Sequence, residues 1–318
     1  MSMHFDALAA RAVADGVISA EDILALRREG WANGSIEPDE AEAIFLANDA
    51  VRDVSPEWAD FFVEALSDYA LSNGSPRGYI SQTMADTLVA RISRDGQVDS
   101  MAELELIVRL LEKAVDVPTS LKDFALRQIE STVLTGRGPT RRGTLTEDGI
   151  NAVEAGLLRR MIFAAGGDRP AAVSRAEAAM LFRLKDATLD RTNAPEWKTL
   201  FVQGVANYLL ASGHDQLSAD RAAELERFMA TKGSGQGGVL GILGKVARSD
   251  IGDSIATARQ GHMGSPDHFG EMAQAARLDQ AESDWLFDKL TRTPDSDEYE
   301  QALVAFIVEE TGQPLAQG

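Results

Sequence analysis

Apolar residues recur at helical spacing in two stretches of the chain that resemble each other. In VSPEWADFFVEALSDYAL, Val54–Leu71, apolar and aromatic residues fall at i, i+3, i+4, i+7, i+8 and i+11 counted from Trp58. NAPEWKTLFVQGVANYLL, Asn193–Leu210, repeats this spacing from Trp197. Each stretch predicts an amphipathic helix that begins at a proline, where the missing N–H costs nothing, and Ser55 is the expected N-cap of the first helix.

The match continues on both sides of these stretches. Upstream, ALRREGWANGSIEPDEAEAIFLANDA from Ala25 pairs with LLRRMIFAAGGDRPAAVSRAEAAMLFRLKDA from Leu157. Downstream, VDSMAELELIVRLLEKA from Val98 pairs with LDQAESDWLFDKLTRTP from Leu278. The spacing of these pairs predicts a tandem duplication whose second copy carries about 40 extra residues.

The predicted fold class is all-α, with two similar multi-helix bundles in tandem. Helical periodicity runs through both halves, and no segment has the sustained period-2 alternation that is typical of strands. We place the first helical unit at residues 1–136 and a Gly- and Thr-rich linker at 137–147. The second unit then covers 148–318, with the insertion at about 231–275.

The composition excludes several classes of protein. The chain contains no cysteine, which rules out thiol catalysis, disulfides and thiolate metal sites. Its start lacks a basic region followed by an apolar one, so we expect no signal peptide. No run approaches the length of a membrane span, and the expected location is the cytoplasm.

The charge of the chain is strongly negative and unevenly distributed. The formal net charge is −19, and residues 1–134 hold 24 acidic but only 11 basic residues. Such a surface repels phosphate backbones and anionic lipid, so the expected partner is a protein rather than nucleic acid. The linker arginines, Arg137, Arg141 and Arg142, are expected to dock against the acidic first unit.

A short turn pattern recurs in ADGVISAED, ANGSIEPDE and RDGQVDSMAE, which begin at Ala14, Ala32 and Arg94. The glycine permits the positive φ that often follows a helix, and the later Ser or acidic residue suits the start of the next helix. An EF-hand calcium loop is an alternative, but in the second stretch Trp31 falls where that loop needs an oxygen ligand. The pattern is best explained as a helix–turn–helix connection.

The first and third of these stretches, from Ala14 and Arg94, resemble the TerB-like helical family, named for tellurite-resistance proteins. The resemblance covers most of each half as a unit of about 130 residues. It implies a compact helical bundle, metal binding at the acidic helix starts, and a role in stress or at the cell envelope. The second half departs from the family pattern, because GGDRPAAVSRAEA from Gly166 and AARLDQAES from Ala275 lack the Asp-Gly pair.

Carboxylates at matched positions in the two halves are the candidate metal ligands. Asp49 and Asp53 lie four residues apart on one helix face, and Asp186 and Asp190 repeat this arrangement. Paired carboxylates can hold Ca²⁺ or Mg²⁺, and they can equally form ion pairs with the arginines at 27–28 and 159–160. The full candidate set is Glu40, Asp49, Asp53, Glu177, Asp186 and Asp190.

The insertion contains the candidate partner-binding segment. After a Gly/Ser-rich stretch from Lys232, VLGILGKVA forms a broad apolar face with little positive charge. An extra core helix, a partner-binding helix and a membrane-surface segment are the three interpretations. The candidate contact residues are Val239, Leu240, Ile242, Leu243, Lys245 and Val246. The nearby His262 and His268 match no familiar zinc spacing.

The sequence contains no Walker A motif, Rossmann glycine fingerprint or nucleophile elbow. We therefore predict a non-enzymatic adaptor or scaffold that binds a protein partner and needs no cofactor. The alternative, implied by the TerB-like resemblance, is a stress-response protein that binds a divalent cation at the acidic pairs. The sequence leaves the oligomeric state undecided.

Overall fold

The computed structural model describes residues 16–141 apart from 53 and 95, then 148–166, 172–212 and 297–311, with a few positions at 5–10, 285 and 289. These residues form an all-α protein, as predicted. The chain divides into two compact units. Unit 1 comprises Met1–Glu147 and Phe163–Pro170, and unit 2 comprises Asp148–Ile162 and Ala171–Gly318.

Unit 1 consists of helices joined by short turns. Its helices are α1 (Ala20–Gly30), α2 (Pro38–Ala50), α3 (Pro56–Ser72), α4 (Gln82–Ile92), α5 (Met101–Lys113) and α6 (Thr119–Thr135). The most extensive helix–helix contact joins α3 and α5, and α1 and α2 also pack on α3. Helix α3 is therefore the centre of the unit.

The apolar stripe of α3 supplies the core that the sequence predicts. Trp58, Phe61 and Phe62 are completely buried, and Phe62 meets Phe45 of α2 edge-on at 5.9 Å between ring centroids. Edge-to-face packing of this kind adds to the burial energy of the rings. Ser55 caps the helix by accepting a hydrogen bond from the Trp58 backbone N–H at 3.1 Å, which confirms the predicted N-cap.

The turn at Arg94 has a different structure from the predicted helix–turn–helix connection. Two short strands, β1 (Ser93–Arg94) and β2 (Gln97–Val98), pair antiparallel between α4 and α5. Gln128 of α6 closes this hairpin by accepting from the Val98 N–H at 3.0 Å and donating to the Gly96 carbonyl at 3.1 Å. Gly96 has φ +80°, as the hairpin requires. The Asp95–Gly96 pair in the sequence is typical of two-residue hairpin turns, so a local signal for the hairpin was present, whereas the contact with the distant Gln128 had none.

Unit 2 repeats the central-helix arrangement. Its helices are α7 (Ala152–Ile162), α8 (Arg175–Thr188), α9 (Pro195–Ser212) and α10 (Glu298–Thr311). Helices α7, α8 and α10 all pack on α9, whose Trp197 and Phe201 are completely buried. Of the helices that the structure describes, none is long and apolar enough to cross a membrane.

Two segments that the sequence analysis placed outside the first unit belong to unit 1. Pro139–Arg141, assigned to the linker, forms a 3₁₀ turn of unit 1 in which Pro139 and Arg141 are buried. The segment 163–170, assigned to the second unit, belongs to unit 1. Of the other linker arginines, Arg137 is exposed and Arg142 lies outside the described residues.

Helix α10 occupies the position in unit 2 that α5 occupies in unit 1. Each packs on the central helix of its unit. The third residue of each is a glutamate whose carboxylate accepts from the backbone N–H three residues earlier: Glu103 from Ser100, and Glu300 from Asp297. The predicted pairing of α5 with the stretch from Leu278 stays a prediction, because nearly all of that stretch lies outside the described residues.

Candidate functional site

Two of the predicted metal ligands act as helix caps. The Glu40 carboxylate accepts from the Glu37 backbone N–H at 2.9 Å, and the Glu177 carboxylate accepts from the Ser174 N–H at 2.7 Å. Both side chains are buried at the starts of α2 and α8. Burial raises the pKa of Glu40, although the hydrogen bond to its carboxylate opposes the shift.

Two more of the predicted ligands form ion pairs. Asp49 accepts from the Arg91 guanidinium at 3.1 Å, and the same guanidinium also binds Glu42 at 3.1 Å. Asp186 lies 2.9 Å from the Lys185 ammonium. The cations are therefore Arg91 and Lys185, not the predicted arginine pairs near the ends of α1 and α7.

The predicted ligands that the structure describes do not lie close enough together to form a metal site. Glu40 and Asp49 lie nine residues apart on α2, which separates them by about 13 Å along the helix axis. Calcium needs ligand oxygens within about 2.6 Å of the ion, so these two carboxylates cannot share one. Among the described residues, no group of three potential ligands comes together. Asp190 is exposed, and Asp53 lies outside the described residues, so a site at Asp49 and Asp53 stays a prediction.

The candidate partner segment, Val239–Val246, and the histidines at 262 and 268 also lie outside the part of the chain that the structure describes. The functional interpretation must therefore come from the two helical units. The most informative chemistry there is a pair of polar networks, half-buried in unit 1 and buried in unit 2, which sequence reasoning did not identify.

The unit 1 network contains Asn48, Trp58, Ser100 and Glu103. Asn48 accepts from the Trp58 indole N–H at 3.1 Å and donates to the Glu103 carboxylate at 3.3 Å. Glu103 in turn accepts from the Ser100 backbone N–H at 3.0 Å. The network joins α2, α3 and the start of α5, and it carries one negative charge. Burial raises the pKa of Glu103, while its hydrogen bonds to Ser100 oppose the shift.

The unit 2 network replaces the amide with an ammonium group. Lys185, whose side chain is only 1% exposed, occupies the position equivalent to Asn48. Its ammonium lies 2.5 Å from the Asp297 carboxylate and 2.6 Å from the Glu300 carboxylate, and these two residues correspond to Ser100 and Glu103. The network therefore joins α8 to the start of α10.

Charge pairing keeps Lys185 protonated inside unit 2. Burial opposes the charge, but the hydrogen bonds that the ammonium donates to Asp297, Glu300 and Asp186 outweigh it and hold the pKa of Lys185 above its usual value. Burial raises the pKa of Glu300, and the neighbouring ammonium counteracts this. Lys185 can only donate, so it cannot accept the indole N–H of Trp197 as Asn48 does for Trp58. Among the described residues, Trp197 Nε1 has no acceptor.

A signal for this network was present in the sequence. The matched stretches align Asn48 with Lys185, and each lies three residues after a phenylalanine and directly before an aspartate. A lysine is usually exposed, so its place on a helix in the middle of an otherwise conserved apolar pattern marks it as unusual. Its carboxylate partners more than 100 positions away could not be identified from the sequence.

The two buried tryptophans give a matched test of the networks. Trp58→Phe removes the hydrogen bond that the indole N–H donates to the side-chain oxygen of Asn48. Trp197→Phe removes an N–H that has no described acceptor. Both substitutions replace a fully buried indole ring with the smaller phenyl ring. We expect Trp58→Phe to lower the free energy of unfolding by about 1 kcal/mol more than Trp197→Phe does. Urea unfolding measured by circular dichroism checks this, and equal losses would contradict the assigned network.

Lys185→Met leaves two buried carboxylates without their cation. We expect it to lower the free energy of unfolding by about 3–5 kcal/mol at neutral pH. Without the ammonium, the pKa of Glu300 rises further in the folded state, so the variant gains stability relative to the wild type as the pH falls. Urea unfolding at several pH values should show the loss shrinking in acid. A loss that does not change with pH would indicate packing rather than charge.

The control for that experiment is the double variant Lys185→Asn/Asp297→Ser, which restores the residue types of the unit 1 network. It is expected to be more stable than Lys185→Met at neutral pH, because the asparagine can accept from Trp197 and donate to Glu300. A double variant as unstable as Lys185→Met would show that the two networks are not equivalent.

Comparison with known proteins gives no family assignment: no family model, curated protein or solved structure matches this chain. The TerB-like resemblance therefore stays a prediction.

Proposed function

We propose that the protein is a non-enzymatic adaptor whose first unit binds a basic, amphipathic segment of a protein partner. The observation that carries this proposal is Leu46, which is 57% exposed on the outer face of α2. Exposed Glu42 and Asp49 lie four residues before it and three residues after it on the same helix, and exposed Asp39 lies seven residues before it. A large apolar side chain framed by carboxylates suits a partner with an apolar ridge and flanking cations.

The remainder of unit 1 supports this choice of partner. Leu24 is 61% exposed on α1, although its neighbours Ile23 and Leu26 are buried. Burying a leucine side chain fully is worth roughly 1.5–3 kcal/mol, so each exposed leucine is an available source of binding energy. Arg91 neutralises part of the negative charge beside Leu46, but residues 1–134 still carry many more acidic than basic residues.

The non-enzymatic part of the proposal rests on the structural contacts that the buried charged side chains make. Glu40, Glu103 and Glu177 accept from backbone N–H groups at helix starts, and Lys185 is enclosed by carboxylates. These hydrogen bonds and ion pairs stabilise helix ends and helix–helix contacts. The candidate segment at 239–246 stays a second predicted contact for the partner.

Leu46→Ser is expected to weaken binding of a synthetic helical peptide with leucine on one face and lysine on the other. Losing the apolar contact should raise the Kd about tenfold, which corresponds to about 1.4 kcal/mol. Fluorescence anisotropy of the labelled peptide measures the Kd, and added salt should raise it further. The matched control is Leu134→Ser on α6, which removes another exposed leucine and should leave the Kd unchanged. Equal Kd values for wild type and Leu46→Ser would rule out this surface.

The cation-binding alternative makes a different prediction. If the protein is an adaptor, millimolar Ca²⁺ or Mg²⁺ should leave its melting temperature equal to that in EDTA. A bound cation at 100 times its Kd would instead add about 2.7 kcal/mol to the free energy of unfolding. A rise in melting temperature that disappears in Asp49→Asn/Asp53→Asn would favour the cation function over the adaptor function.

A further inference from the structure

The chain contains two Asn-Gly-Ser tripeptides that the fold holds in different ways. Residues 33–35 lie in the turn between α1 and α2, and residues 73–75 follow α3. An Asn-Gly pair is chemically special, because glycine has no side chain to keep its backbone nitrogen away from the preceding side-chain amide. Both asparagines are exposed to solvent, so hydrogen bonding and packing decide whether each pair can react.

The side chain of Asn33 makes two long hydrogen bonds at the surface. Its nitrogen donates to the carboxylate of Glu37 at 3.3 Å, and Glu37 is itself exposed. Its oxygen accepts from the backbone N–H of Ser35 at 3.4 Å. This N–H already faces the oxygen on which negative charge develops when a nucleophile attacks the amide carbon. The side chain can therefore turn toward Gly34 without leaving a buried group unsatisfied.

The backbone nitrogen of Gly34 is the nucleophile within reach. Its N–H donates to the Trp31 carbonyl at 3.1 Å, in a turn whose residues 32–34 are exposed. No described atom lies within 4 Å of a Cβ built on Gly34, so the backbone there can rotate without a clash. The Asp68 carboxylate holds both ends of the turn by accepting from the Trp31 indole at 3.1 Å and from the Ile36 N–H at 3.3 Å. The residues between these two anchors can rearrange while α1 and α2 stay in place.

The second tripeptide is fixed by its surroundings. The side-chain nitrogen of Asn73 donates to the backbone carbonyls of Tyr69 at 2.9 Å and Ile36 at 3.3 Å. A Cβ built on Gly74 would lie 2.1 Å from the Tyr79 carbonyl oxygen, so this glycine is closely packed. Bringing the amide carbon of Asn73 onto the Gly74 nitrogen would break both hydrogen bonds and displace a packed loop.

We propose that Asn33 is a site of spontaneous deamidation through a succinimide, whereas Asn73 is protected by the fold. The Gly34 amide gives up its proton to solvent base, and its nitrogen attacks the side-chain carbon of Asn33. A new carbon–nitrogen bond forms, the bond to the side-chain nitrogen breaks, and that nitrogen takes up a proton and leaves as ammonia. Water then opens the five-membered imide at one of its two carbonyls, which leaves aspartate or isoaspartate at position 33.

The modification changes the charge at the turn that leads into α2. A carboxylate replaces the amide that donated to Glu37, so two like charges face each other where a hydrogen bond stood. The reacted chain is one charge more negative and should separate from the unreacted chain on an anion exchanger. Asn33 lies outside α2, which carries Leu46, so this proposal and the adaptor proposal can fail independently.

Peptide mapping of the folded protein after incubation at mildly alkaline pH tests the proposal. Trypsin places Asn33 and Asn73 in separate peptides, 29–52 and 53–77. Deamidation raises the mass of a peptide by about one dalton, and fragmentation distinguishes position 33 from Asn48. We expect Asn33 to react at least about tenfold faster than Asn73, because Asn73 must first break two hydrogen bonds to buried or packed backbone. Equal rates, or an unreacted Asn33, would overturn the proposal.

Protein unfolded in guanidinium chloride is the control for the role of the fold. Without the fold, the two identical tripeptides should deamidate at similar rates. A difference that persists after unfolding would show that the structure does not protect Asn73.

Asn33→Gln is the matched variant for the chemistry. It keeps the side-chain amide but would have to form a larger ring, so its 29–52 peptide should not gain mass at position 33. In the wild type the rate at Asn33 should rise with pH, because the attacking nitrogen must lose a proton. A variant that reacts as fast as the wild type, or a rate that does not change with pH, would contradict the succinimide route.

Discussion

Each unit depends on one central helix that is buried along most of its length. A polar side chain or backbone group beside a buried helix lowers the stability of the fold when it has no partner, because an unsatisfied buried polar group costs about 1–3 kcal/mol. This constraint explains the polar residues at fixed places on α3 and α9. Asp68 accepts from the Ile36 N–H at 3.3 Å, and Asn207 accepts from the Val173 N–H at 2.7 Å. In both units the central helix therefore binds the segment that leads into α2 or α8.

Contacts at positions that match in sequence show how the two units differ, while the duplication itself stays a prediction. Glu64 and Asp68 of α3 correspond to Gln203 and Asn207 of α9, so carboxylates are replaced by amides of nearly the same shape. The hydrogen bonds to the neighbouring arginine and to the backbone persist, while the negative charge disappears. Such replacements contribute to the lower acidity of the second half, and they leave the acidic surface concentrated in unit 1.

The sequence was sufficient for the parts of the fold that depend on local periodicity. The stripe around Trp58 and Phe61 predicted α3 and its buried face, and Ser55 predicted where that helix starts, because helix caps and amphipathic spacing act over a few residues. Contacts between residues far apart in sequence could not be obtained in this way. Asp49 looked like half of a metal site, because nothing near it in sequence indicated that Arg91 would pair with it. Similarly, the partners of Lys185 lie on a helix that begins beyond residue 296.

The exchange of Asn48 for Lys185 shows that the two networks cannot be interconverted one residue at a time without cost. A lysine in unit 1 would bury an ammonium beside Glu103 but place Ser100, which has no charge, where Asp297 stands in unit 2. An asparagine in unit 2 would leave two carboxylates to share an uncharged donor. A lysine beside Glu103 would pair one positive with one negative charge, so its cost would be the loss of the acceptor for the Trp58 indole N–H rather than an unpaired charge. The asparagine in unit 2 would instead leave two carboxylates without a cation, which is the costlier change.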